Sequence, residues 1–416
     1  MLQQLSPSLT LAHASSLALD GVCDACVQRF CGVSEGARGS AWASNAPALL
    51  RAEGGATAAP RAVCVACLGI LDASGGATPS TAEGSTSASA SSVCCVEAAS
   101  AALLDAIATR GYDVDGFCLE FTLPNSCVVR QYGLVSKLIE RERAAGGERT
   151  RAQLESGTIS LKDVVRARLL AAIAPRLSPA DASPEATLRL HVRIAHVDSD
   201  RECAALVQAT GGGGGSGGGS ANRNKYNRKR RRVEKRNPSQ TQQHSTRDLL
   251  QRMAKLERSD AALACASAAP PLSATRCSVT VRVSRNSVWV AGRYRKLRRG
   301  ISQTPFYVDG VRRGSTSVEE LLSTSLTAKR ADRFALADAR ALKFMSSGRE
   351  DIDVRMLGCG RPFALELVDA TRVGFDGAAL RAMQDEANAA AAGELIFYLI
   401  RPLTLHFLRT NPACSQ

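Results

Sequence analysis

The sequence predicts an α+β protein made of two folded units joined by a linker. With 416 residues, the chain is long enough for two domains that each bury an apolar core. Leu103, Leu104 and Ile107 recur at helical spacing, whereas apolar residues alternate from Leu188 to Ile194 as in a half-buried strand. A glycine run, Gly211 to Gly219, separates the two halves and has no intrinsic structure.

Changes in composition divide the chain further. The Ser-, Thr-, Gly- and Ala-rich stretch is predicted to be disordered, because it holds too little apolar surface to offset its ordering entropy. The predicted segments are a part with two cysteine pairs (1–71), the disordered insertion (72–92), a small α/β unit (93–206), a Gly-rich and basic linker (207–245), a second folded unit (246–394) and a tail of unrelated character (395–416).

The second unit contains both helix and strand patterns. Thr246 to Arg258 suits a helix with its leucines and methionine on one face. Alternating valines from Val279 to Val290, interrupted by a turn-like stretch, predict a β-hairpin. Thr316 with Glu319, or Ser317 with Glu320, offers a helix-capping pair. Finally, Phe363 to Leu367 alternates along one strand.

Charge indicates a polyanionic partner. Lysine and arginine total 53 against 39 acidic residues, so the net charge is +14, which favours nucleic acid or an anionic membrane surface. Residues 1–20 do not read as a signal peptide or a mitochondrial presequence, and Leu395 to Leu408 is too short and too interrupted to span a membrane. We therefore expect a soluble protein of the nucleus or cytoplasm, with no membrane association.

Two Cys-x-x-Cys pairs, Cys23 with Cys26 and Cys64 with Cys67, predict a metal site. In a reducing compartment, closely spaced cysteines bind metal more often than they form disulfides. Four thiolates complete the tetrahedral shell of a structural zinc ion and leave no open position for catalysis. The segment between the pairs is longer than in compact zinc ribbons, and the alternative is four incidental buried cysteines.

The basic run from Arg223 to Arg236 carries more than half of the net charge. It suits phosphate contacts and nuclear import, and a solvated linker flank is the alternative. Because only Tyr226 interleaves it, we expect backbone contact without sequence readout. Its predicted RNA contacts are Arg228, Lys229, Arg230, Arg231 and Arg232.

An acidic cluster lies between arginines from Ser346 to Glu366. If the chain from Arg349 to Arg355 is extended, Arg349, Asp351 and their alternate neighbours share one face. A neighbouring arginine would keep a carboxylate ionised, as a carboxylate nucleophile requires. A structural salt-bridge ladder explains the same spacing.

Several motifs occur together in a characteristic order. They are Val290-Ala-Gly-Arg-Tyr-Arg-Lys-Leu-Arg-Arg-Gly-Ile-Ser-Gln-Thr-Pro-Phe306, Ser317-Val-Glu-Glu-Leu-Leu322, Ser347-Gly-Arg-Glu-Asp-Ile-Asp-Val-Arg-Met-Leu-Gly358 and Gly360-Arg-Pro-Phe-Ala-Leu-Glu366. This set resembles the archaeal and eukaryotic tRNA pseudouridine synthases of the tenth Pus family. The cysteine pairs, including Cys64-Val-Ala-Cys-Leu-Gly-Ile-Leu71, resemble the zinc-binding start of the same family.

The resemblance implies a fold and a reaction. It implies a zinc-binding, THUMP-like α/β module followed by a pseudouridine synthase domain with a mixed, mainly antiparallel sheet. The expected activity is that of an isomerase converting uridine to pseudouridine in the T-loop of tRNA, at position 55 and possibly position 54. Structural zinc, no organic cofactor, tRNA as partner and a monomeric state complete the expectation.

The resemblance also assigns residues. Gly348-Arg349-Glu350-Asp351 matches the Gly-Arg-x-Asp motif of the family, which makes Asp351 the nucleophile and Arg349 its expected ion-pair partner. The expected RNA contacts in the second unit are Arg293, Tyr294, Lys296 and Arg299.

The family pattern continues beyond this chain's matching motifs. A later Lys-x-x-x-Gly-Thr-Tyr type segment has no counterpart, so we expect the catalytic domain to be incomplete at its C-terminal end. The alternative function is a catalytically incomplete zinc-containing RNA-binding protein. A nuclear DNA-binding zinc protein is a more remote alternative.

Overall fold

The computed structural model describes residues 9, 11–32, 63–72, 79–81, 94–177, 181–196, 198–209, 245–259, 277–327, 342–372 and 377–403. The chain forms two compact units. Unit 1 comprises residues 1–102, 121–176 and 191–282, and unit 2 comprises residues 103–120, 177–190 and 283–416. Both helices and strands occur, so the predicted α+β class is confirmed.

The helices are α1 (Leu11–Leu19), α2 (Asp24–Phe30), α3 (Cys95–Arg110), α4 (Ser126–Ala144), α5 (Arg151–Glu155), α6 (Leu161–Leu177), α7 (Ser199–Ala209), α8 (Thr246–Ser259), α9 (Val318–Thr327) and α10 (Gly377–Ala390). The strands are β1 (Pro79–Thr81), β2 (Gly116–Thr122), β3 (Asp181–Ala182), β4 (Leu188–Ala195), β5 (Ser278–Arg285), β6 (Val288–Lys296), β7 (Phe306–Val308), β8 (Val311–Arg313), β9 (Leu342–Ser346), β10 (Met356–Leu367) and β11 (Leu395–Leu403). No helix within these ranges is long and apolar enough to cross a bilayer.

Unit 1 buries the apolar face of α8. Leu249 and Met253, one helical turn apart, are almost completely buried and pack in a cluster with Val129 and Tyr132 of α4 and Leu206 of α7. The predicted helix at residues 246–258 is therefore confirmed, and its packing partners are protein side chains.

A five-stranded sheet has the order β1-β5-β4-β2-β3, and its β1–β5 and β2–β3 pairs are parallel. The predicted alternation in β4 is confirmed, because Leu188, Leu190, Val192 and Ile194 are all buried. Strand β1 lies within the segment predicted to be a disordered insertion, so Pro79–Thr81 is an exception to that prediction.

Unit 2 contains a four-stranded antiparallel sheet in the order β11-β6-β10-β9. Strand β6 occupies an inner position, with β10 on one side and β11 on the other. Phe363, Leu365 and Leu367 of β10 are buried as predicted. They pack with residues of β6, α9, α10 and β11 in the core of the unit.

The start of helix α9 is also predicted correctly. Ser317 Oγ accepts a hydrogen bond from the Glu320 main-chain N–H at 3.1 Å, which caps the helix. Of the two predicted capping pairs, the structure therefore uses Ser317 with Glu320.

The predicted hairpin between residues 279 and 290 is wrong. Both strands exist, but β5 belongs to the five-stranded sheet and β6 to the four-stranded sheet. The short connection cannot fold back because its main chain is bonded elsewhere: Arg285 N donates to Asp369 Oδ1 and Asn286 N donates to Thr187 O. Local alternation identified the strands but carried no information about their partners.

The compact units do not follow the linear segments expected from composition. Helix α8 and most of β5 lie in unit 1, although the sequence placed residues from 246 onward in the second folded unit. The four-stranded sheet continues through Leu403, within the segment 395–416 that the sequence set apart as a tail. The glycine run and the basic run at 223–236 lie outside the described residues.

Candidate functional site

The four predicted cysteines come together in unit 1. Cys23 immediately precedes α2 and Cys26 lies in its first turn, while Cys64 and Cys67 occupy the turn at residues 63–70. All four are buried, and their Sγ atoms lie within 4.8 Å of one another. The Cys23 main-chain N–H donates to Cys64 Sγ at 3.3 Å.

The cluster has the dimensions of a metal centre. Four sulfurs at the usual distance of about 2.3 Å from a tetrahedral zinc ion stand about 3.8 Å apart. Cys23 Sγ and Cys67 Sγ are 3.9 Å apart. Hydrogen bonds from the three other thiols, together with the positive charge of Arg29, lower the pKa of Cys26. The donor set therefore fits a thiolate-bound metal ion held by these four residues.

Two buried arginines, neither singled out by the sequence, lie beside the cysteines. Arg29 Nε is 3.5 Å from Cys26 Sγ, and its Nη1 donates to Gln131 Oε1 at 2.7 Å. Burial opposes the charge of Arg29, but Cys26, Cys67 and Cys64 together favour it more, so the pKa of Arg29 is raised. Arg130 donates to the main-chain oxygen of Val65 between the second cysteine pair and forms an ion pair with Glu202.

Asp351 lies on a turn of unit 2 that joins β9 to β10. We call residues 347–355 the Asp351 turn. Gly348 has φ +91°, a conformation that side chains with a Cβ rarely adopt, and a Cβ there would lie 2.6 Å from Arg361 Nη1. Asp351 and Arg349 are both exposed. The chain is a turn and not a strand, so the predicted alternating face from Arg349 to Arg355 does not form.

Within the acidic cluster, the carboxylate that pairs with an arginine is that of Glu350. It is buried, and its Oε2 lies 2.6 Å from Arg361 Nε in an ion pair. Tyr294 Oη donates to Glu350 Oε1 at 2.6 Å. No ion pair joins Arg349 to Asp351 among the residues that the structure describes. The alternation of charges carries no sign that Glu350, the first carboxylate of the cluster, faces inward.

Gln303 extends this network to the start of the turn. Its Nε2 lies 2.6 Å from Ser346 Oγ and 3.0 Å from Gly348 O. Burial raises the pKa of Tyr294 and the charge of Glu350 adds to this, so Tyr294 is a neutral phenol that donates. The residue before Asp351 is thereby fixed from the inner face of the sheet.

Of the RNA contacts predicted in unit 2, only Arg299 is exposed. Tyr294 and Lys296 are completely buried and bonded within the protein. Arg293 is half-buried and donates to Gly360 O at 2.9 Å. Strand alternation directs Tyr294 and Lys296 to the core, so their burial does not favour the predicted RNA contacts at these two residues. The contacts predicted at residues 228–232 lie outside the described residues.

Strand β10 is irregular next to the turn. Its pairing with β6 shifts register between Met356 and Arg361. The intervening Gly358 and Gly360 both have positive φ, and Leu357 and Cys359 are exposed. A bulge of this kind reorients a strand at a site.

The four-stranded antiparallel sheet thus presents an exposed aspartate on a Gly-Arg-Glu-Asp turn. Residues 289–400 match the family described as "Pus10, C-terminal". In this segment, which is less than a third of the chain, the protein is similar to that family.

Named relatives agree with the match. The chain is 42% identical over 123 residues to "tRNA pseudouridine synthase Pus10" of Xenopus laevis, covering 29% of this chain and 22% of the relative. The human protein of that name is 44% identical over 113 residues, which cover 27% of this chain and 20% of the relative. The archaeal one from Methanothermobacter marburgensis is 41% identical over 130 residues, which cover 28% and 30%. The matches thus span less than a third of each relative.

Proposed function

We propose that this chain is a tRNA pseudouridine synthase that isomerises a uridine of the T-loop. The observation that carries the proposal is the match of residues 289–400, which contains the whole Asp351 turn. Relatives 42% and 44% identical over 123 and 113 residues are named tRNA pseudouridine synthases.

Asp351 is the proposed nucleophile. The reaction breaks the N1–C1′ bond of uridine and forms a C5–C1′ bond, while the hydrogen on C5 is replaced by one on N1. Atoms and electrons balance within the substrate, so no oxidant or organic cofactor is needed. An exposed carboxylate on a turn is open to a uridine that has left its stack.

Exposed arginines support an RNA surface around this turn. Arg299, Arg313, Arg349 and Arg355 are exposed, and none forms an ion pair within the described part of the chain. Cations without a protein partner are suited to phosphate contact. We propose that these side chains bind the phosphates of the RNA backbone. For Arg349 this contact is proposed beside the electrostatic effect on Asp351 that the sequence predicts.

We propose that residues 93–206 form a THUMP-like module that docks RNA, and that the cysteine centre of residues 1–71 holds structural zinc. Binding a metal at four buried thiols would tie α2 to the turn at residues 63–70. We expect one zinc ion per chain by elemental mass spectrometry. Cys64→Ser should lose it, whereas Cys359→Ser, at an exposed cysteine of unit 2, should keep it.

We also propose a monomer located in the nucleus or cytoplasm. None of the cysteines among the described residues forms a disulfide, which suits a reducing compartment. Fluorescence microscopy of the tagged chain, and light scattering of the purified chain, test these two points.

The test of the activity uses a tRNA transcript with tritium at C5 of its uridines. We expect the parent chain to release tritium into water, and Asp351→Asn to bind the tRNA with unchanged affinity but release none. Asp353→Asn, an exposed aspartate of the same turn, is the matched control and should remain active.

The outcomes separate the two functions considered. Equal turnover by Asp351→Asn and the parent would remove Asp351 from the mechanism. Tight tRNA binding without turnover by the parent would favour an RNA-binding protein that lacks catalysis.

A further inference from the structure

Lys296, the last residue of β6, is a buried cation. Its side chain is 0% exposed, and burial lowers its pKa, an effect that Glu350, Asp353 and Asp351 oppose. Removing an ammonium group from water is unfavourable unless its donors are satisfied. A buried lysine at this position therefore needs hydrogen-bond acceptors, whereas an apolar residue would need none.

Main-chain oxygens satisfy this ammonium. Lys296 Nζ donates to Ile301 O at 2.9 Å and to Asp351 O at 2.9 Å, and it lies 3.4 Å from Ile352 O. An ammonium group has three N–H donors, so three carbonyl oxygens match its capacity. Two of these oxygens belong to the Asp351 turn.

The neighbouring main chain reinforces the same attachment. Gly300 N donates to Ile352 O at 2.8 Å, so the turn is bonded to the segment that follows β6. Tyr294 and Lys296 are two residues apart and therefore project from the same face of β6. Tyr294 holds the Glu350 side chain and Lys296 holds the Asp351 carbonyl, which fixes two consecutive residues from one strand.

We propose that Lys296 is a positioning residue for the isomerisation, acting by fixing the main chain at Asp351. The proposal rests on the function proposed for Asp351. With its carbonyl bonded inward, Asp351 has its main-chain direction set before RNA arrives. Lys296 itself touches no substrate, because its side chain is enclosed by protein.

The test is Lys296→Met, which keeps a side chain of similar length and removes the donors. We expect kcat to fall about 100-fold, the scale of effect that a small misplacement of a reacting group produces. KM and the tRNA dissociation constant should stay at the parent values. Hydrogen exchange at residues 347–355 should become faster, while exchange in the rest of unit 2 remains unchanged.

Two further variants complete the comparison. Lys343→Met removes an exposed lysine of β9 in the same sheet and should match the parent in every measurement. Lys296→Gln retains one polar donor group and should show a smaller loss of kcat than Lys296→Met. It also allows the comparison if the methionine variant does not fold.

Parental kcat and parental exchange in a folded Lys296 variant would overturn the proposal. Failure of both variants to fold would assign Lys296 to the stability of unit 2 and would overturn it as well. An inactive parent chain would instead refute the proposed function, and the exchange measurement alone would then decide whether Lys296 anchors the turn.

Discussion

Tyr294 and Glu350, which are 56 positions apart in the chain, are joined by a buried hydrogen bond of 2.6 Å between Oη and Oε1. The same carboxylate forms an ion pair with Arg361, so a strand, a turn and a second strand meet at one charged group. This arrangement places Asp351 directly after a fixed residue. The contribution of the Tyr294–Glu350 hydrogen bond to the stability of unit 2 can be measured.

Tyr294→Phe should destabilise unit 2. The change removes one donor to a buried carboxylate and leaves the aromatic packing against Phe344 and Phe363 in place. A hydrogen bond to a charged group contributes about 2 kcal/mol. Urea unfolding should show a loss of about this size, whereas Tyr398→Phe, at an exposed tyrosine of β11, should show almost none. Equal stability of the two variants would contradict the role given to this bond.

Arg29→Met should weaken metal binding in unit 1. The guanidinium next to Cys26 offsets negative charge on the thiolates, and partners of this kind change metal affinity about 10- to 100-fold. Competition with a chromogenic zinc chelator measures the affinity directly. Arg141→Met removes an arginine that pairs with Asp20 at the surface and should leave zinc affinity unchanged. Parental affinity in Arg29→Met would show that the charge of Arg29 does not act on the centre.

Gly292→Ala should destabilise the four-stranded sheet. A Cβ at this position of β6 would lie 2.5 Å from Phe363 Cζ and 2.7 Å from the main-chain oxygen of Tyr398. Overpacking of this kind costs about 2 kcal/mol. Gly116→Ala in β2 is the matched control, because its Cβ would make contacts no closer than 3.4 Å. Thermal unfolding of the two variants should therefore differ, and similar midpoints would show that the sheet relaxes around the new methyl group.

Glu319→Gln should stabilise the protein at neutral pH. Burial raises the pKa of Glu319 above its ordinary value of 4.5, and the neighbouring Glu320 raises it further. Because the folded pKa exceeds the unfolded one, ionisation opposes folding, and this cost appears as the pH rises through 4.5 to the folded pKa. The unfolding midpoint of the variant should exceed that of the parent at pH 7, and the difference should vanish below 4.5.

Glu320→Gln gives the contrast. Glu320 Oε2 bonds to Ser317 and forms an ion pair with Arg312, so its replacement should lower the midpoint at pH 7. Stabilisation by both substitutions, or by neither, would contradict the assignment of an unfavourable charge to Glu319 alone.

Local sequence patterns predicted the helices, strands and cysteine pairs better than they predicted which strands pair with one another. The spacing of Cys23, Cys26, Cys64 and Cys67 was sufficient to identify the cluster, because each pair is a local chelate whose geometry depends on a few residues. The alternation of β5 and β6 identified both strands but not their separate sheets, since strand partners are chosen by contacts distant in sequence. Zinc itself remains a prediction.

The candidate active site was predictable only in part. The motif pointed to Asp351, and the structure places that residue on an exposed turn. The inward direction of Glu350 and the burial of Lys296 depend on the register between β6 and β10, which no local pattern encodes. The catalytic role of Asp351 and the RNA contacts remain predictions.

The inner position of β6 also determines when the four-stranded sheet can be completed during synthesis. Its two neighbours, β10 and β11, both follow it in the chain, and Phe397 of β11 packs in the same core as Tyr294. Long-range pairings of this kind form only after the cost of closing large loops has been met. During synthesis the Gly-Arg-Glu-Asp motif therefore leaves the ribosome before strand β11, which completes the sheet and core behind it, has been made. The core that supports the Asp351 turn should therefore be completed late, after the emerging chain has passed Leu403.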